Sequence, residues 1–375
     1  MAIQRYTGKT VLEAARERIS FVFDHKEEII VSVSGGKDST VLAHLALSEA
    51  NRRDRRIGLY FLDEEVVYQS TIDQIEYLME LFPDNTKVMW LQVPFHLTNA
   101  TSLTEGQLKC WEPGKHKEWM RSRNPDAMKA RPWGPEHEKV GVRAKGFGFY
   151  DAIAAFRRLH KDAAFLVGLR AAGESPNRWR AVTKHPIEFG GQRIYWGTRH
   201  EGTASLYPIY DWNFHDVWRY IHDEGLEYSK LYDFQFRKGY PISEMRSSSL
   251  IHEQSFKSIC DLPEFEPRTY NRLLKRIKGI ALAQEAGRNA KLYRCRKLPK
   301  NFTSWIDYRD FLMKTHPDKE RLPIFERRFA RHLNNEYVAR QQCRQLVLND
   351  YENNLPVDNA PDPREELIRY YDEVL

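Results

Sequence analysis

The run Ile29-Ile30-Val31-Ser32-Val33-Ser34-Gly35-Gly36-Lys37-Asp38-Ser39-Thr40-Val41-Leu42 decides how this chain folds. Its first part is apolar and β-branched, as suits a buried strand. Two glycines then break the run. Asp38, Ser39 and Thr40 supply capping oxygens ahead of Val41, Leu42, Leu45 and Leu47, an apolar stripe at helical spacing. In a strand–glycine–helix turn, backbone N–H groups face inward where side chains would obstruct an anion. The positive end of the helix adds to the attraction for phosphate. Lys37 brings a mobile positive charge, and Ser34 and Ser39 bring hydroxyl donors. Asp38 would repel a bare phosphate, so it is expected to help hold Mg²⁺ or to orient a loop amide. The spacing does not fit the G-x-x-x-x-G-K-[ST] loop of common nucleotide triphosphatases.

Outward from this turn the pattern repeats. Ile57 to Leu62 reads as a second strand and Tyr68 to Phe82 as its helix; Lys87 to Val93 reads as a third strand. Tyr150 to Leu159 reads as a helix leading into a fourth strand, Ala164 to Gly168. Strands alternating with helices at this pitch predict an α/β fold, a doubly wound, mainly parallel, Rossmann-like sheet. The Gly/Pro/Trp-rich stretch at about residues 94–149 reads as an insertion, longer than an idle connection. Past Gly225 the alternation stops, and Arg272 to Ala286 and Pro323 to Asp350 have helical periodicity. The expected organisation is a nucleotide-binding domain over residues 1–225 and a mostly helical C-terminal domain over 226–375.

The composition sets limits. With 375 residues, 41% hydrophobic and 29% charged, the chain can bury a sizeable core. No apolar run reaches membrane-spanning length, and Met1 to Tyr6 does not open a secretion signal, so the cytoplasm is the expected compartment. Cys110, Cys260, Cys295 and Cys343 form no C-x-x-C pair; reduced thiols are expected and no iron–sulfur cluster. The net charge of +6 is unevenly spread. Lys115, Lys117, Arg121, Arg123, Lys129, Arg131, Lys139, Arg143 and Lys145 interleave with Trp111, Trp119, Trp133 and Phe147. A second basic run extends from Arg288 to Lys300. Solvated faces account for most such runs, while nucleic acid is the alternative partner, through phosphate neutralisation and base stacking.

Ser34 to Ser39 resembles the PP-loop of the adenine nucleotide α-hydrolase-like superfamily, which includes ATP pyrophosphatases and phosphoadenosine phosphosulfate (PAPS) reductases. Gly168-Leu169-Arg170-Ala171-Ala172-Gly173-Glu174-Ser175-Pro176-Asn177-Arg178 resembles the G-x-R-x-x-E-S-x-x-R stretch of PAPS reductases and sulfate adenylyltransferase small subunits. Arg170 and Arg178 are candidates to grip phosphate or sulfate in bidentate fashion, with Glu174 fixing one of them. Pro208 to Ile221 is similar to the family's P-I-x-x-W-x-x-x-D-V-W-x-Y-I, and its spacing suits packing more than chemistry. Asp63, after the second strand, falls where these folds place an acidic residue near the nucleotide. It is a candidate for metal or ribose; a solvated acidic turn is the plain alternative. Across its length the chain resembles the IbrA/YbdN-type PAPS reductase-like proteins, which add a C-terminal domain of unknown function and are often encoded beside a ParB-like protein.

The resemblance implies an adenine nucleotide, ATP or a PAPS-like one, with its pyrophosphate on Ser34, Gly35, Gly36, Lys37, Asp38 and Ser39. Gly168, Arg170, Glu174, Arg178 and Asp63 complete the candidate set. It implies Mg²⁺ with the nucleotide, near Asp38 and Asp63, and catalytic roles for Lys37, Asp38 and Arg170. The chain departs from the reductases in having no Glu-Cys-Gly-Leu-His-type segment. Met245-Arg246-Ser247-Ser248-Ser249-Leu250 stands where relatives often carry Arg-x-x-Gly-Cys. A serine hydroxyl cannot replace a thiolate in sulfur redox chemistry. The expectation is therefore ATP-dependent adenylyl transfer or pyrophosphatase chemistry. The alternatives are a non-catalytic nucleotide sensor acting on a ParB-like partner, and a protein that binds or modifies nucleic acid.

Overall fold

The computed structural model describes residues 8–102, 105–134, 146–171, 185–200, 202–252, 255–281, 298–353, 355 and 357–360. Helix α1 (Val11–His25) starts from a capping box in which the Glu13 amide donates to Thr10 and the Thr10 amide donates back to Glu13. The chain then alternates through β1 (Ile29–Ser32), α2 (Lys37–Arg52), β2 (Ile57–Leu62), α3 (Gln69–Glu80) and β3 (Thr86–Leu91). The insertion carries a hairpin of β4 (Phe95–Thr98) and β5 (Gln107–Cys110), and α4 (Phe149–Leu159) leads from it into β6 (Ala164–Val167). A small hairpin, β7 (Ile187–Phe189) and β8 (Gln192–Ile194), precedes β9 (Gly197–His200) and β10 (Thr203–Leu206).

Among the described residues the main sheet runs in the order β3-β2-β1-β6-β10-β9, parallel throughout except for β9, which lies antiparallel to β10. The expected doubly wound, mainly parallel architecture is present. Strand order reverses at β1, which has β2 on one side and β6 on the other. Ser32 is in register with both Tyr60 and Val167, so the loops after β1, β2 and β6 leave from one edge. Sheets of this kind bind ligands at that reversal point.

Successive residues of β1 serve the two faces, as the pleat requires. Val31, with Leu59 and Leu166, packs under α1, α2, α3 and α5 (Phe214–Asp223). Ile30, with Tyr60 and Phe165, packs under α4, the β4–β5 hairpin and three helices from beyond Gly225. These are α6 (Leu231–Arg237), α7 (Phe256–Phe265) and α8 (Pro267–Arg276). Each fully buried aliphatic side chain contributes roughly 1.5–3 kcal/mol, which anchors the strand that carries the loop.

The C-terminal region is helical, as its periodicity predicts, and its first helices share the sheet's second layer. The stretch Pro323 to Asp350 is helical as read, in two helices. The chain makes α10 (Leu322–Phe329) and α11 (Glu336–Val347), after α9 (Trp305–Thr315). Asn335 restarts the helix by accepting from the Val338 amide at 2.9 Å. Of the helical stretch read over Arg272 to Ala286, the first part closes α8, which begins at Pro267, a favoured first position, and ends at Arg276; residues 282–286 lie outside the described residues. No helix among the described residues is long and apolar enough to cross a membrane.

Candidate nucleotide site

β1 delivers the chain to Ser34, with the Val33 amide donating to the Tyr60 carbonyl at 2.9 Å. Gly35 then turns with φ +69°. A Cβ at this position would stand 2.8 Å from the Thr71 methyl and 2.9 Å from the Thr71 carbonyl oxygen, so a side chain is excluded by strain and by space. Gly36 is the N-cap of α2 and has no side chain to cap it. First-turn amides of such a helix are left for other acceptors. The loop fastens itself by its own hydroxyls. The Ser34 amide donates to Ser39 Oγ at 3.2 Å, and Ser39 Oγ and Thr40 Oγ1 donate to the Gly36 carbonyl at 2.9 and 3.1 Å.

The charges converge on Asp38. Its Oδ1 lies 2.6 Å from Arg170 Nε and its Oδ2 lies 3.4 Å from Lys37 Nζ. Gly168 makes the Arg170 contact geometrically feasible, because the segment after β6 passes directly over the first turn of α2. A Cβ on Gly168 would stand 3.0 Å from the Asp38 carbonyl oxygen and 3.1 Å from Ser39 N. Lys37 and Arg170 are both buried, which sets two cationic side chains beside the helix N-terminus. The structure thus brings together Ser34, Gly35, Gly36, Lys37, Asp38, Ser39, Gly168 and Arg170. Glu174 and Arg178 lie outside the described residues.

Asp63 is placed differently from the expectation of a metal or ribose contact. It is fully buried, and its carboxylate accepts from the Glu65 amide, Trp90 Nε1 and Gln92 Nε2, each at 2.9 Å, and from the Arg121 guanidinium. A carboxylate so satisfied offers nothing to a nucleotide; it anchors the insertion. Glu65 does the same for the C-terminal helices. It pairs with Arg276 Nε at 2.6 Å and accepts from the Trp111 amide at 2.6 Å. Asp38, with a cation on each oxygen, does not fit a protein-held Mg²⁺ either. Among the described residues no group of three His, Cys, Asp or Glu side chains could hold a metal ion. Between the two anchors, Glu64 is pushed up to about 7 by burial and the nearby Asp63 charge, against a lowering by the Ser249 hydroxyl.

Sequence reasoning missed the groups that arrive from far along the chain. The Lys37 amide donates to the Tyr232 hydroxyl at 3.1 Å. Lys37 Nζ lies 5.3 Å from the Tyr232 ring centroid and 6.0 Å from that of Phe214. Ser247 Oγ approaches Gly36 from the same side. These contacts bridge some two hundred residues, and nothing local signals them. Other groups have turned inward. Trp111 and Trp133 are buried, Arg123 lies 4.6 Å from the Trp119 ring and Arg131 lies 4.8 Å from that of Phe147. The described part of that basic–aromatic run packs upon itself and presents no row of free rings for bases. Lys139, Arg143, Lys145 and residues 288–297 lie outside the described residues. In the Pro208 to Ile221 segment, Asn213 and Asp216 form the capping box of α5, and Trp212, Val217 and Ile221 are buried. Its role is packing.

The profile of the family described as phosphoadenosine phosphosulfate reductase domain matches residues 28–263. A second, described as a domain of unknown function (DUF3440), matches residues 239–337. The uncharacterized protein YbdN of Escherichia coli K12 is 28% identical over 317 residues, covering 82% of this chain and 76% of that protein. The adenosine 5'-phosphosulfate reductase of Bacillus mycoides is 24% identical over 218 residues, covering 58% of this chain and 71% of that protein. Among solved structures, the PAPS reductase of Candida auris in phosphate complex overlays with a TM-score of 0.35 at 12% identity, covering 62% of this chain and 94% of that chain.

Proposed function

Since the chain belongs to the phosphoadenosine phosphosulfate reductase domain family, we propose that it binds ATP and cleaves it between the α- and β-phosphates, passing the adenylyl group to an acceptor or to water. The observation that carries this reading is the convergence of Lys37, Asp38 and Arg170 on a glycine-capped helix start, at the edge where strand order reverses. The β- and γ-phosphates lie in the Ser34–Ser39 loop. An acceptor oxygen bonds to the α-phosphorus as the bond from that phosphorus to the bridging oxygen breaks. Pyrophosphate leaves with the bonding pair and stays in the loop until release. Lys37 and Arg170 offset the negative charge that grows on the leaving oxygens, and each such group is worth on the order of 10²–10³ in rate.

Thiol-based sulfur reduction fits less well. Cys110 and Cys343 are buried, Cys260 is half-buried and Cys295 lies outside the described residues; burial pushes the Cys110 thiol well up, with the Glu65 and Glu64 charges adding to the rise. A thiol held protonated is a poor nucleophile. Near Gly36, where a reacting sulfur would be useful, the structure has the hydroxyl of Ser247.

The test is to incubate the full chain with Mg²⁺ and ATP labelled at the α or the γ position. This reading expects γ-label in pyrophosphate and α-label in AMP or an adenylylated product. Release of γ-label as inorganic phosphate contradicts it. One observation favours a second reading, a nucleotide sensor that signals through its C-terminal region to a partner such as a ParB-like protein. Tyr232 and Ser247 touch the loop, so its occupancy would be felt by the helices that follow. Tight ATP binding with no turnover in the presence of that partner supports the sensor.

A further inference from the structure

Gly36 is closely enclosed, and its three nearest neighbours are alike in chemistry. A Cβ built on Gly36 would lie 3.0 Å from Ser247 Oγ, 3.3 Å from the Tyr232 hydroxyl and 3.4 Å from Ser34 Oγ. Three hydroxyls from three parts of the chain therefore face one point, beside Lys37 and the start of α2. Only Ser34 belongs to the loop. Tyr232 is buried in α6, with its ring edge-on to Trp218 and beneath Lys37 Nζ. Its oxygen accepts the Lys37 amide at 3.1 Å, which fixes the oxygen and leaves its own proton to donate. Ser247 is half-buried in the segment that follows. The three heavy atoms nearest to that Cβ are all hydroxyl oxygens.

We propose that Tyr232 and Ser247 are phosphate-binding residues, which close the pyrophosphate cradle on the side facing the C-terminal region. They donate hydroxyl hydrogen bonds to the phosphate seated on Gly36. The inference rests on reading Ser34–Ser39 as a pyrophosphate loop. It adds that the nucleotide-binding domain alone does not hold the ligand fully, because residues beyond 225 supply neutral donors. Hydroxyls suit this position. They satisfy phosphate oxygens without adding a further cation next to Lys37 and Arg170.

The test is calorimetric titration of the full chain, as wild type, Tyr232→Phe and Ser247→Ala, with inorganic pyrophosphate and with ATP. Each variant is expected to bind both ligands about tenfold more weakly, the worth of one hydrogen bond to a charged acceptor. Phenylalanine keeps the ring against Trp218, and Ser247 is not buried, so melting temperatures are expected to hold. Wild-type affinity in both variants overturns the inference and leaves the loop reading intact. Tighter pyrophosphate binding by Tyr232→Phe also overturns it, because Tyr232 would then be a competitor for the Lys37 amide. A folded wild type that binds neither pyrophosphate nor ATP overturns the loop reading itself. If Tyr232→Phe does not fold, Ser247→Ala alone decides.

Discussion

Gly36→Ala separates binding from folding at the point where the two are closest. Gly36 has φ −87° and ψ 159°, a conformation alanine adopts freely. The new methyl would meet Ser247 Oγ at 3.0 Å and the Tyr232 hydroxyl at 3.3 Å, both ends of side chains, with no backbone atom among its three nearest neighbours. Alanine is a poorer N-cap than glycine by about 0.5–1 kcal/mol. Against this, the restricted unfolded chain returns about 0.4–1 kcal/mol. The net change in stability is expected to be within about 1 kcal/mol, and the melting temperature to move by no more than roughly 2 °C. Binding behaves otherwise. The methyl fills the spot on which the hydroxyls converge and holds a phosphate away from the first-turn amides. Losing two charge-assisted hydrogen bonds costs about 3–6 kcal/mol, a weakening of at least a hundredfold. Calorimetry with ATP, paired with a thermal melt of the same sample, reads both quantities. A folded Gly36→Ala that binds ATP within threefold of wild type refutes the placement of phosphate at Gly36. Gly35→Ala is the contrast: φ +69° and the 2.8 Å approach to Thr71 predict that it loses stability as well as binding.

Three further outcomes follow from the same geometry. Arg170→Met removes one of the cations on Asp38 and is expected to lower pyrophosphate release in single-turnover assays by about 10²–10³, with far-UV circular dichroism unchanged. Arg276→Met leaves Glu65 buried without its guanidinium. Urea unfolding is expected to show a loss of about 3–5 kcal/mol while ATP affinity in the surviving folded protein changes little. Glu64 and Glu352 are both pushed up to about 7 from 4.5, burial being the first cause for each. The folded state then holds these protons more tightly than the unfolded one. The stability they confer is present at or below pH 4.5 and is lost as pH rises through 7. Melting between pH 5 and 8 should therefore fall less steeply in a Glu64→Gln, Glu352→Gln double variant; equal slopes would count against the buried-carboxyl reading.

How much of this was legible in the sequence depends on how far apart the partners lie. β1 and β2 were readable because strands buried on both faces are continuous apolar runs, and the loop because its glycines and capping oxygens are adjacent. β10, Thr-Ala-Ser-Leu at 203–206, is just as buried but half polar, so no apolar run announced it. The helical character of Pro323 to Asp350 was legible in its periodicity, but the turn at residues 330–335 that divides it into two helices is marked only by Asn335, which caps the second. Asp63 was misread because its partners Trp90, Gln92 and Arg121 lie 27, 29 and 58 residues away. A carboxylate's burial is not visible from its neighbours in sequence. Tyr232 lies 195 residues from Lys37, and only the packing of α6 on the sheet brings it to the loop.

The central claim is that Ser34–Ser39 cradles the pyrophosphate end of ATP. The most direct measurement is competitive calorimetry on the full chain with ATP, AMP and inorganic pyrophosphate. ATP is expected to bind at least a hundredfold more tightly than AMP, and saturating pyrophosphate to abolish the ATP isotherm. AMP binding as tight as ATP, or an ATP isotherm untouched by pyrophosphate, would contradict the claim.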